Sequence, residues 1–255
     1  MTTTADKQRS ASPSAAVDLH CHILPGLDDG ARDVDDALAM ARTAQADGIA
    51  AICATPHIRH DHDVPIAELP ARRAELEAAI AQDGCSTRIL PGGEVAASAA
   101  TTLEDHELAA VSLGAAGRWI LLEPSPGPLS DGLDTVVEEL AARGFRALIA
   151  HPERHPAPDL VPRLQRLITR GALVQATAAF LTDETAQPGM TALARAGVVH
   201  VLGSDSHSSR AGRPVALTPA FDVLRSLQPT AAHLDWIARA APIAIVRGED
   251  VRAPF

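Results

Sequence analysis

The chain has 255 residues and a formal net charge of −10, and 46% of its residues are hydrophobic. This length is enough for one large α/β barrel with a sizeable core. The acidic balance, together with the lack of any lysine- and arginine-rich stretch interleaved with aromatic residues, argues against a nucleic-acid-binding surface. No segment approaches 18 uninterrupted apolar residues, so we expect neither a spanning helix nor stable membrane insertion.

The beginning of the chain is small and polar. We expect residues 1–16 to form a disordered tail and residues 17–255 to form a single domain, and the tail contains no apolar run that resembles a signal-peptide core. The three cysteines, Cys21, Cys53 and Cys85, are an odd number at unrelated spacings. That pattern fits a reducing compartment better than a disulfide scaffold, and it predicts a cytoplasmic protein.

Strand-like apolar runs alternate with helix-like segments along the rest of the chain. We expect strands at residues 16–23, 49–55, 87–90, 119–123, 146–150, 172–176 and 198–203. We expect helices at residues 34–46, 66–81, 133–142, 160–169 and 184–196. Strands that are separated by helices predict a parallel sheet, and right-handed crossovers would close it into a barrel or near-barrel.

Histidine and carboxylate residues lie where these predicted strands end. In His20-x-His22 the two side chains are two residues apart on a strand, so they point to the same face and can bind one cation. Asp205-x-His207 repeats this spacing after the last predicted strand. Because the C-terminal ends of parallel strands open on one face, we expect the candidates to converge there as a multinuclear metal site. The candidate ligands are His20, His22, Asp29, His57, Glu94, Glu123, His151, Asp205 and His207.

The loop that follows His22 leaves one choice open. Asp28 and Asp29 precede a glycine, so either is a turn former or an oxygen ligand. The histidines His60 and His62, just beyond the predicted strand end at His57, are expected to be solvated.

The ordered motifs DLHCHILPGLDDG, ATPH, GGE, LLEP, AHPER and GSDSH resemble those of the polymerase and histidinol phosphatase (PHP) superfamily. The match is to its bacterial capsule-type, metal-dependent protein-tyrosine phosphatases and covers residues 17–250. The resemblance implies an α/β fold, a distorted TIM-like (β/α)7 barrel in a single domain. It also implies up to three divalent metals, manganese first, with Fe, Zn or Co as substitutes that the same ligand types accept.

The resemblance further implies how the metals are shared among the ligands. One metal is bound by His20, His22, Glu94 and Asp205; Glu94 bridges to a second, bound also by Glu123 and His151; a third is bound by Asp29, His57 and His207. Glu123 discriminates within the superfamily, because histidinol-phosphate and polymerase-linked relatives tend to carry histidine there.

Two arginines are implied as phosphate-binding residues. Arg154 falls at a position where members of the family have a phosphate-binding arginine, and Arg213 falls near a second such position. The spacing from His207 to Arg213 is one residue longer than the usual pattern, so Arg210 competes for that role. His57, His207 or a metal-bound water are the implied general acids.

These ligand types suit phosphomonoester hydrolysis. Clustered dications lower the pKa of bound water from ~15.7 to about 7, so a metal-bound hydroxide is expected to attack phosphorus while Arg154 stabilises the equatorial oxygens. The resemblance implies a phosphotyrosine protein as substrate, a bacterial tyrosine kinase in exopolysaccharide or capsule regulation. The alternative is a histidinol-phosphatase-like or other PHP phosphoesterase acting on a small phosphorylated metabolite or on nucleic acid.

Three other interpretations compete with this one. The segment from Cys53 to Arg59 fits the C-x5-R signature of cysteine-dependent tyrosine phosphatases, but it lacks glycine and Pro56 removes an amide. An amidohydrolase with a carboxylated bridging lysine is excluded, because the only lysine is Lys7 in the predicted tail. A catalytically idle PHP-like module is disfavoured by the complete ligand set.

Overall fold

Parallel strands form the centre of the molecule in a computed structural model, which describes residues 16–255. The predicted tail lies outside the described residues, except that Ala16 already belongs to the first strand. Within the described residues the strands are β1 (Ala16–Cys21), β2 (Ile49–Ala54), β3 (His57–Ile58), β4 (Arg88–Leu90), β5 (Glu94–Ala96), β6 (Trp119–Glu123), β7 (Arg146–Ile149), β8 (Leu173–Thr177) and β9 (Val201–Gly203).

Helices connect these strands. They are α1 (Val34–Asp47), α2 (Leu69–Gln82), α3 (Ala97–Ala100), α4 (Asp105–Val111), α5 (Asp131–Ala142), α6 (Leu160–Thr169), α7 (Gln187–Arg195), α8 (Thr218–Leu224) and α9 (Ala241–Val246). The five predicted helices correspond to α1, α2, α5, α6 and α7, whereas the short helices α3, α4, α8 and α9 were not predicted. No helix in residues 16–255 has both the length and the apolar character needed to cross a membrane.

All strand pairs are parallel, and they form two sheets. One sheet has the order β1-β2-β4 and the other has the order β3-β5-β6-β7-β8-β9. The predicted parallel α/β sheet in one domain is therefore confirmed, and the sheet is curled. The structure differs from the prediction in having short strands, β3 and β5, at places where the sequence analysis expected loops.

These extra strands arise because two longer strands are interrupted. Only Thr55 and Pro56 separate β2 from β3, and Pro56 has no backbone N–H to donate to a neighbouring strand. Between β4 and β5 the chain passes Gly93, where a Cβ would lie 2.9 Å from the Ile58 side chain. Gly93 therefore leaves room for the Ile58 side chain at the break, and pairing resumes when Glu94 N donates to Pro56 O at 3.0 Å.

The two sheets meet where the first and last strands end. Cys21 and Ser206 form a parallel bridge. On either side of it, Asp205 N donates to His20 O at 2.8 Å and His22 N donates to Ser206 O at 2.9 Å. The backbone contacts that join the sheets are thus made by the two short segments that carry the His20-x-His22 and Asp205-x-His207 motifs.

Side chains alternate between two cores along the strands. On β6, Trp119 and Leu121 belong to a smaller inner core, whereas Ile120 and Leu122 belong to the larger core beneath the helices. This is the period of two that a strand buried on both faces produces. Ile245 of α9 also belongs to the inner core, so this helix covers one end of the curled sheet.

The contact between α9 and the turn before β6 provides a test of this packing. Gly114 has φ 74°, and a Cβ there would overlap the carbonyl oxygen of Val246. Gly114→Ala is expected to cost about 1 to 2 kcal/mol for the left-handed backbone and a further ~1 to 3 kcal/mol for the overlap. Gly117→Ala is the matched control, because Gly117 has φ 67° and open space around it. Denaturant titration measures the free energy of unfolding of both variants. Equal losses in Gly114→Ala and Gly117→Ala would contradict the close packing of Gly114 against α9.

Candidate metal centre

The fully buried carboxylate of Glu94 lies at the centre of the predicted ligands. Its Oε2 is 3.3 Å from Nε2 of His20 and 3.3 Å from Nε2 of His22. The same oxygen is 3.0 Å from Nδ1 of His57. Its other oxygen, Oε1, is 2.7 Å from Nε2 of His151. One carboxylate therefore contacts four imidazoles that come from three separate parts of the chain.

Asp205 links this cluster to the two predicted arginines. Its Oδ1 is 3.6 Å from Nε2 of His20 and 3.6 Å from Nδ1 of His207. Its Oδ2 accepts a hydrogen bond from Arg154 and lies 3.1 Å from Nη2 of Arg213. The carboxylate thus faces candidate ligands with one oxygen and both guanidinium groups with the other.

Asp29 and Glu123 occupy the more open side of the cluster. Asp29 Oδ1 is 3.4 Å from Nε2 of His57 and 3.4 Å from Nε2 of His207. Glu123 Oε2 is 3.8 Å from Nδ1 of His57. All nine candidate ligands are therefore brought together, although they are separated by up to 187 positions along the sequence.

Asp28, the neighbour of Asp29, contacts the cluster from behind. Its Oδ2 accepts from His22 Nδ1 at 2.7 Å and from His57 N at 2.9 Å, and its Oδ1 accepts from Gly30 N at 3.0 Å. Burial alone would raise the pKa of Asp28, but the bond with His22 brings it below its usual range. When His22 is neutral, as metal ligation requires, Nδ1 is the donor to Asp28 and the lone pair of Nε2 faces the cluster. Asp28 therefore orients a ligand, and Asp29 offers its carboxylate to the cavity.

Gln175 plays the corresponding part for two other ligands. Its Oε1 lies 3.1 Å from His20 Nδ1 and accepts from His151 N at 3.3 Å. Sequence reasoning did not identify Gln175. A signal was present, because this is a polar residue inside the apolar run of β8, and buried polar groups usually have a specific partner.

The electrostatics of the cluster favour a cation. Burial by itself lowers the pKa of His22, but the carboxylates of Asp28 and Glu94 outweigh it and raise the pKa to about 10. Burial opposes ionisation of Glu94, yet the surrounding imidazoles, His20 foremost, hold the pKa of Glu94 well below its usual value. Protons held by histidine compensate the negative charge of the carboxylates in this state. A bound dication would provide the same compensation, because ligating histidines must be neutral.

Unpaired buried atoms lead to the same conclusion. Glu94 Oε2 and His57 Nδ1 are buried and make no hydrogen bond of acceptable geometry within residues 16–255, even though they are 3.0 Å apart. Leaving such groups unsatisfied is costly. Nitrogen and carboxylate oxygen donors of this kind suit divalent transition metals, so the residues fit a metal centre.

Three groups of side chains have ligand atoms close enough to share an ion. They are His20, His22 and Glu94; His57, Glu94 and Glu123; and His22, Asp29, His57 and His207. Asp205 and His151 are in none of these groups, and, unlike in the implied sharing, His22 and His57 each take part in two groups. The reason is their central position, since the rings of His22 and His57 are 4.5 Å apart.

The loop that carries His207 and Arg213 is attached to the beginning of α1. Asp36 accepts hydrogen bonds from Ser208 Oγ at 3.0 Å and from Ser209 N at 2.8 Å. Arg213 donates from Nε to the backbone oxygen of Asp205 at 2.8 Å, whereas Arg210 extends to Asp33 on the surface. The structure therefore places Arg213, and not Arg210, beside the cluster.

Phe180 lies beneath the guanidinium of Arg213. The carbon Cζ of Arg213 is 5.9 Å from the centre of the Phe180 ring, which is within the range of a cation–π interaction. This contact was not predicted, because Phe180 follows β8 and is distant from Arg213 in the sequence.

The environment of Cys53 contradicts the cysteine-phosphatase interpretation. Its side chain is fully buried, and burial raises the pKa of its thiol far above the usual range. A nucleophilic cysteine needs an accessible thiolate with a lowered pKa.

The two loop histidines near His57 differ from each other. His60 is exposed, as expected. His62 is half-buried and its ring stacks on that of His57 at 5.2 Å, so the expectation of a solvated side chain holds only in part for His62.

The role of Asp28 can be tested by metal affinity. The Asp28 carboxylate accepts hydrogen bonds from three N–H groups. In Asp28→Asn the amide NH₂ group faces at least one of these donors and cannot accept from it, so His22 loses its fixed orientation. We expect metal affinity to fall ~10- to 100-fold, as for other residues that orient a ligand. Competition with a chelator, followed by metal analysis, measures the change. Asp63→Asn in an exposed loop is the control, and wild-type affinity in Asp28→Asn would refute the assignment.

Comparison with known proteins places these features in a family. A family model described as capsular polysaccharide synthesis, CpsB/CapC, matches residues 16–234. Tyrosine-protein phosphatase YwqE of Bacillus subtilis is 31% identical over 199 residues, which are 75% of this chain and 77% of YwqE. CapC of Staphylococcus aureus is 26% identical over 213 residues, which are 81% of this chain and 82% of CapC.

Solved structures agree with the sequence comparison. One solved structure comes from a study of YwqE from Bacillus subtilis and CpsB from Streptococcus pneumoniae, which are described as metal-dependent tyrosine phosphatases. It has a TM-score of 0.79 and 26% sequence identity to this chain. The match covers 92% of this chain and 96% of the solved chain. The phosphotriesterase homology protein of Escherichia coli has a TM-score of 0.58 at 12% identity, so it shares the fold alone. The match covers 92% of this chain and 99% of that protein. The resemblance found in the ordered motifs is confirmed, and the chain belongs to the CpsB/CapC family of capsular polysaccharide synthesis proteins.

Proposed function

We propose that this protein is a metal-dependent protein-tyrosine phosphatase. The observation that carries the proposal is the contact of the buried Glu94 carboxylate with His20, His22, His57 and His151. Similarity to YwqE, a tyrosine-protein phosphatase that covers most of this chain, supports phosphotyrosine as the substrate. The substrate protein we propose is a bacterial tyrosine kinase in capsule or exopolysaccharide regulation, which is in line with the family description.

The metal centre that we propose uses all nine candidate ligands, with Glu94 as the shared carboxylate. The donor set is His20, His22, Asp29, His57, Glu94, Glu123, His151, Asp205 and His207, and it would hold up to three divalent ions. Seven of these belong to the three groups described above, whereas His151 contacts Glu94 and Asp205 faces His20. We propose manganese, although the same donors accept Fe, Zn or Co. When bound, such ions lower the pKa of water and neutralise charge on the phosphoryl group.

Arg154 and Arg213 bind and orient the substrate phosphate in this proposal. Both line a cavity of about 360 Å³ together with His57 and His207. A planar guanidinium donates two parallel hydrogen bonds to phosphoryl oxygens, and its charge is permanent. Because Asp205 already contacts both arginines, their side chains are held toward the candidate ligands before substrate arrives.

The protonation state of His207 at the cavity suits metal ligation. Burial, with the neighbouring His22, lowers the pKa of His207 to about 4, so its imidazole is neutral near pH 7 and suited to ligation. A tyrosyl leaving group has a pKa of about 10 and needs little protonation. The general-acid role of His57 or His207 therefore stays a prediction.

We also propose that residues 17–255 form one catalytic domain with a distorted (β/α)7 barrel. Counting β2 with β3 and β4 with β5 as interrupted strands gives seven strand positions. The bridge between Cys21 and Ser206 supports closure between the first and last of them. A cytoplasmic location is supported by Cys21, Cys53 and Cys85, which are all unpaired thiols.

Metal removal tests the proposed activity. We expect chelation to abolish hydrolysis of a phosphotyrosine peptide, manganese to restore it, and His20→Ala to prevent the restoration. Histidinol phosphate and a nucleic-acid phosphomonoester, assayed in parallel, are expected to be poorer substrates. Turnover that survives both chelation and His20→Ala would disprove the metal mechanism. A strong preference for histidinol phosphate would be compatible with the proposed metal centre but would show that the proposed substrate is wrong.

A second variant separates this mechanism from cysteine chemistry. Cys53→Ala is expected to retain phosphatase activity, at a stability cost of ~1 kcal/mol for the small buried volume that is lost. Cys85→Ala is the matched control, since this thiol is also buried but lies outside the C-x5-R segment. Loss of turnover in Cys53→Ala alone, with a phosphocysteine trapped in the wild type, would contradict the proposal.

A further inference from the structure

A third arginine, Arg59, opens on the same cavity as Arg154 and Arg213. It directly follows β3, whose first residue is the candidate ligand His57. Its side chain is 30% exposed, so the guanidinium is accessible from solvent. Arg59 is the last residue of the C-x5-R segment, but the burial of Cys53 excludes a cysteine-phosphatase role for that segment.

Arg59 contacts two carboxylates of different kinds. Its Nε and Nη2 donate to Asp61 Oδ1 at 2.7 Å and Asp61 Oδ2 at 3.0 Å, which makes a bidentate pair. Its Nη1 lies 3.5 Å from Oε1 of the candidate ligand Glu123. The guanidinium therefore lies between the outer rim of the cavity, represented by Asp61, and the metal ligands.

This position differs from that of the two phosphate-binding arginines. Arg154 and Arg213 both contact Asp205, whereas Arg59 contacts a different candidate ligand, Glu123. An anion held by Arg59 would thus be separate from the phosphoryl group held by Arg154 and Arg213. A substrate that satisfies all three arginines carries a second negative group close to its phosphate.

The pair with Asp61 shows that the Arg59 guanidinium can bind a carboxylate. The Asp61 side chain is 65% exposed, and an ion pair this exposed contributes only ~0 to 1 kcal/mol. A carboxylate from a substrate can therefore replace Asp61 at small cost and with the same bidentate geometry.

The backbone of Arg59 is fixed by a tight turn. His62 N donates to Arg59 O at 3.2 Å, and the His62 ring stacks on His57 at 5.2 Å. This turn keeps the Arg59 backbone in place when its side chain exchanges one carboxylate for another.

We propose that Arg59 makes the enzyme select phosphotyrosine segments that carry an acidic side chain, Asp or Glu, next to the phosphotyrosine. The proposal rests on the proposed phosphatase function. A chain with a net charge of −10 repels acidic peptides in general, so a preference for them requires local positive charge. Arg59 provides it once a substrate carboxylate replaces the exposed Asp61.

A binding measurement tests this selection without relying on turnover. The probes are two fluorescent peptides with the non-hydrolysable phosphotyrosine mimic phosphonomethyl-phenylalanine, identical except for Asp or Asn on both sides of it. The manganese-loaded wild type is expected to bind the Asp peptide about three- to tenfold more tightly at low salt, as a charge-assisted contact at a partly exposed site would give. Fluorescence anisotropy gives both dissociation constants, and the ratio should shrink at about 0.5 M NaCl.

Variants assign the ratio to Arg59. Arg59→Gln is expected to bring the ratio of the two constants close to one. Arg72→Gln, which removes an exposed arginine paired with Glu68 on the surface, should leave the ratio unchanged. Asp61→Asn should keep the ratio or increase it, because it removes the competing carboxylate.

The outcomes separate this inference from the proposed function. A wild-type ratio near one, or a ratio that Arg59→Gln leaves intact, overturns the role of Arg59. Equal weakening of both peptides by Arg59→Gln also overturns it, because Arg59 then binds the phosphate itself. If both peptides bind but neither phosphotyrosine counterpart is hydrolysed, the phosphatase function fails while the selection of acidic segments stands.

Discussion

The burial of one carboxylate governs the arrangement of this molecule. Glu94 is fully buried, and a negative charge in that position is unfavourable unless positive groups surround it. The groups available are imidazoles at the end of β1, at the start of β3 and just after β7. They can meet at Glu94 only if these points of the chain converge. A curled parallel sheet meets that requirement, and the two interrupted strands bring His57 and Glu94 themselves to the same edge.

Around this centre, a set of polar residues holds the ligands in fixed orientations. Asp28 accepts from one nitrogen of His22, and Gln175 contacts one nitrogen of His20, so the opposite nitrogens face Glu94. Asp36 attaches the loop that carries His207 by accepting from serine hydroxyls and a backbone N–H. Such bonds reduce the reorganisation that ligand or substrate binding would otherwise require. The candidate metal ligands are therefore held in place by the protein scaffold.

The repeating pattern of strands and helices was predictable because it depends on local periodicity. The breaks in the sheet were not, since Pro56 and the glycines before Glu94 signal a turn and say nothing about pairing beyond it. Helices α8 and α9 were missed for a related reason. They have only 7 and 6 residues, each contains a proline, and their position depends on packing against other parts of the chain.

The sequence by itself determined the chemistry of the centre, because residue type and a spacing of two along a strand limit which atoms can bind a cation. It also determined the family, since the motifs occur in a specific order. The tertiary structure decided between neighbours of the same type: Asp29 faces the cavity while Asp28 supports His22, and Arg213 reaches Asp205 while Arg210 does not. Such choices depend on contacts between residues far apart in the chain, where a rotation of one loop residue changes the partner.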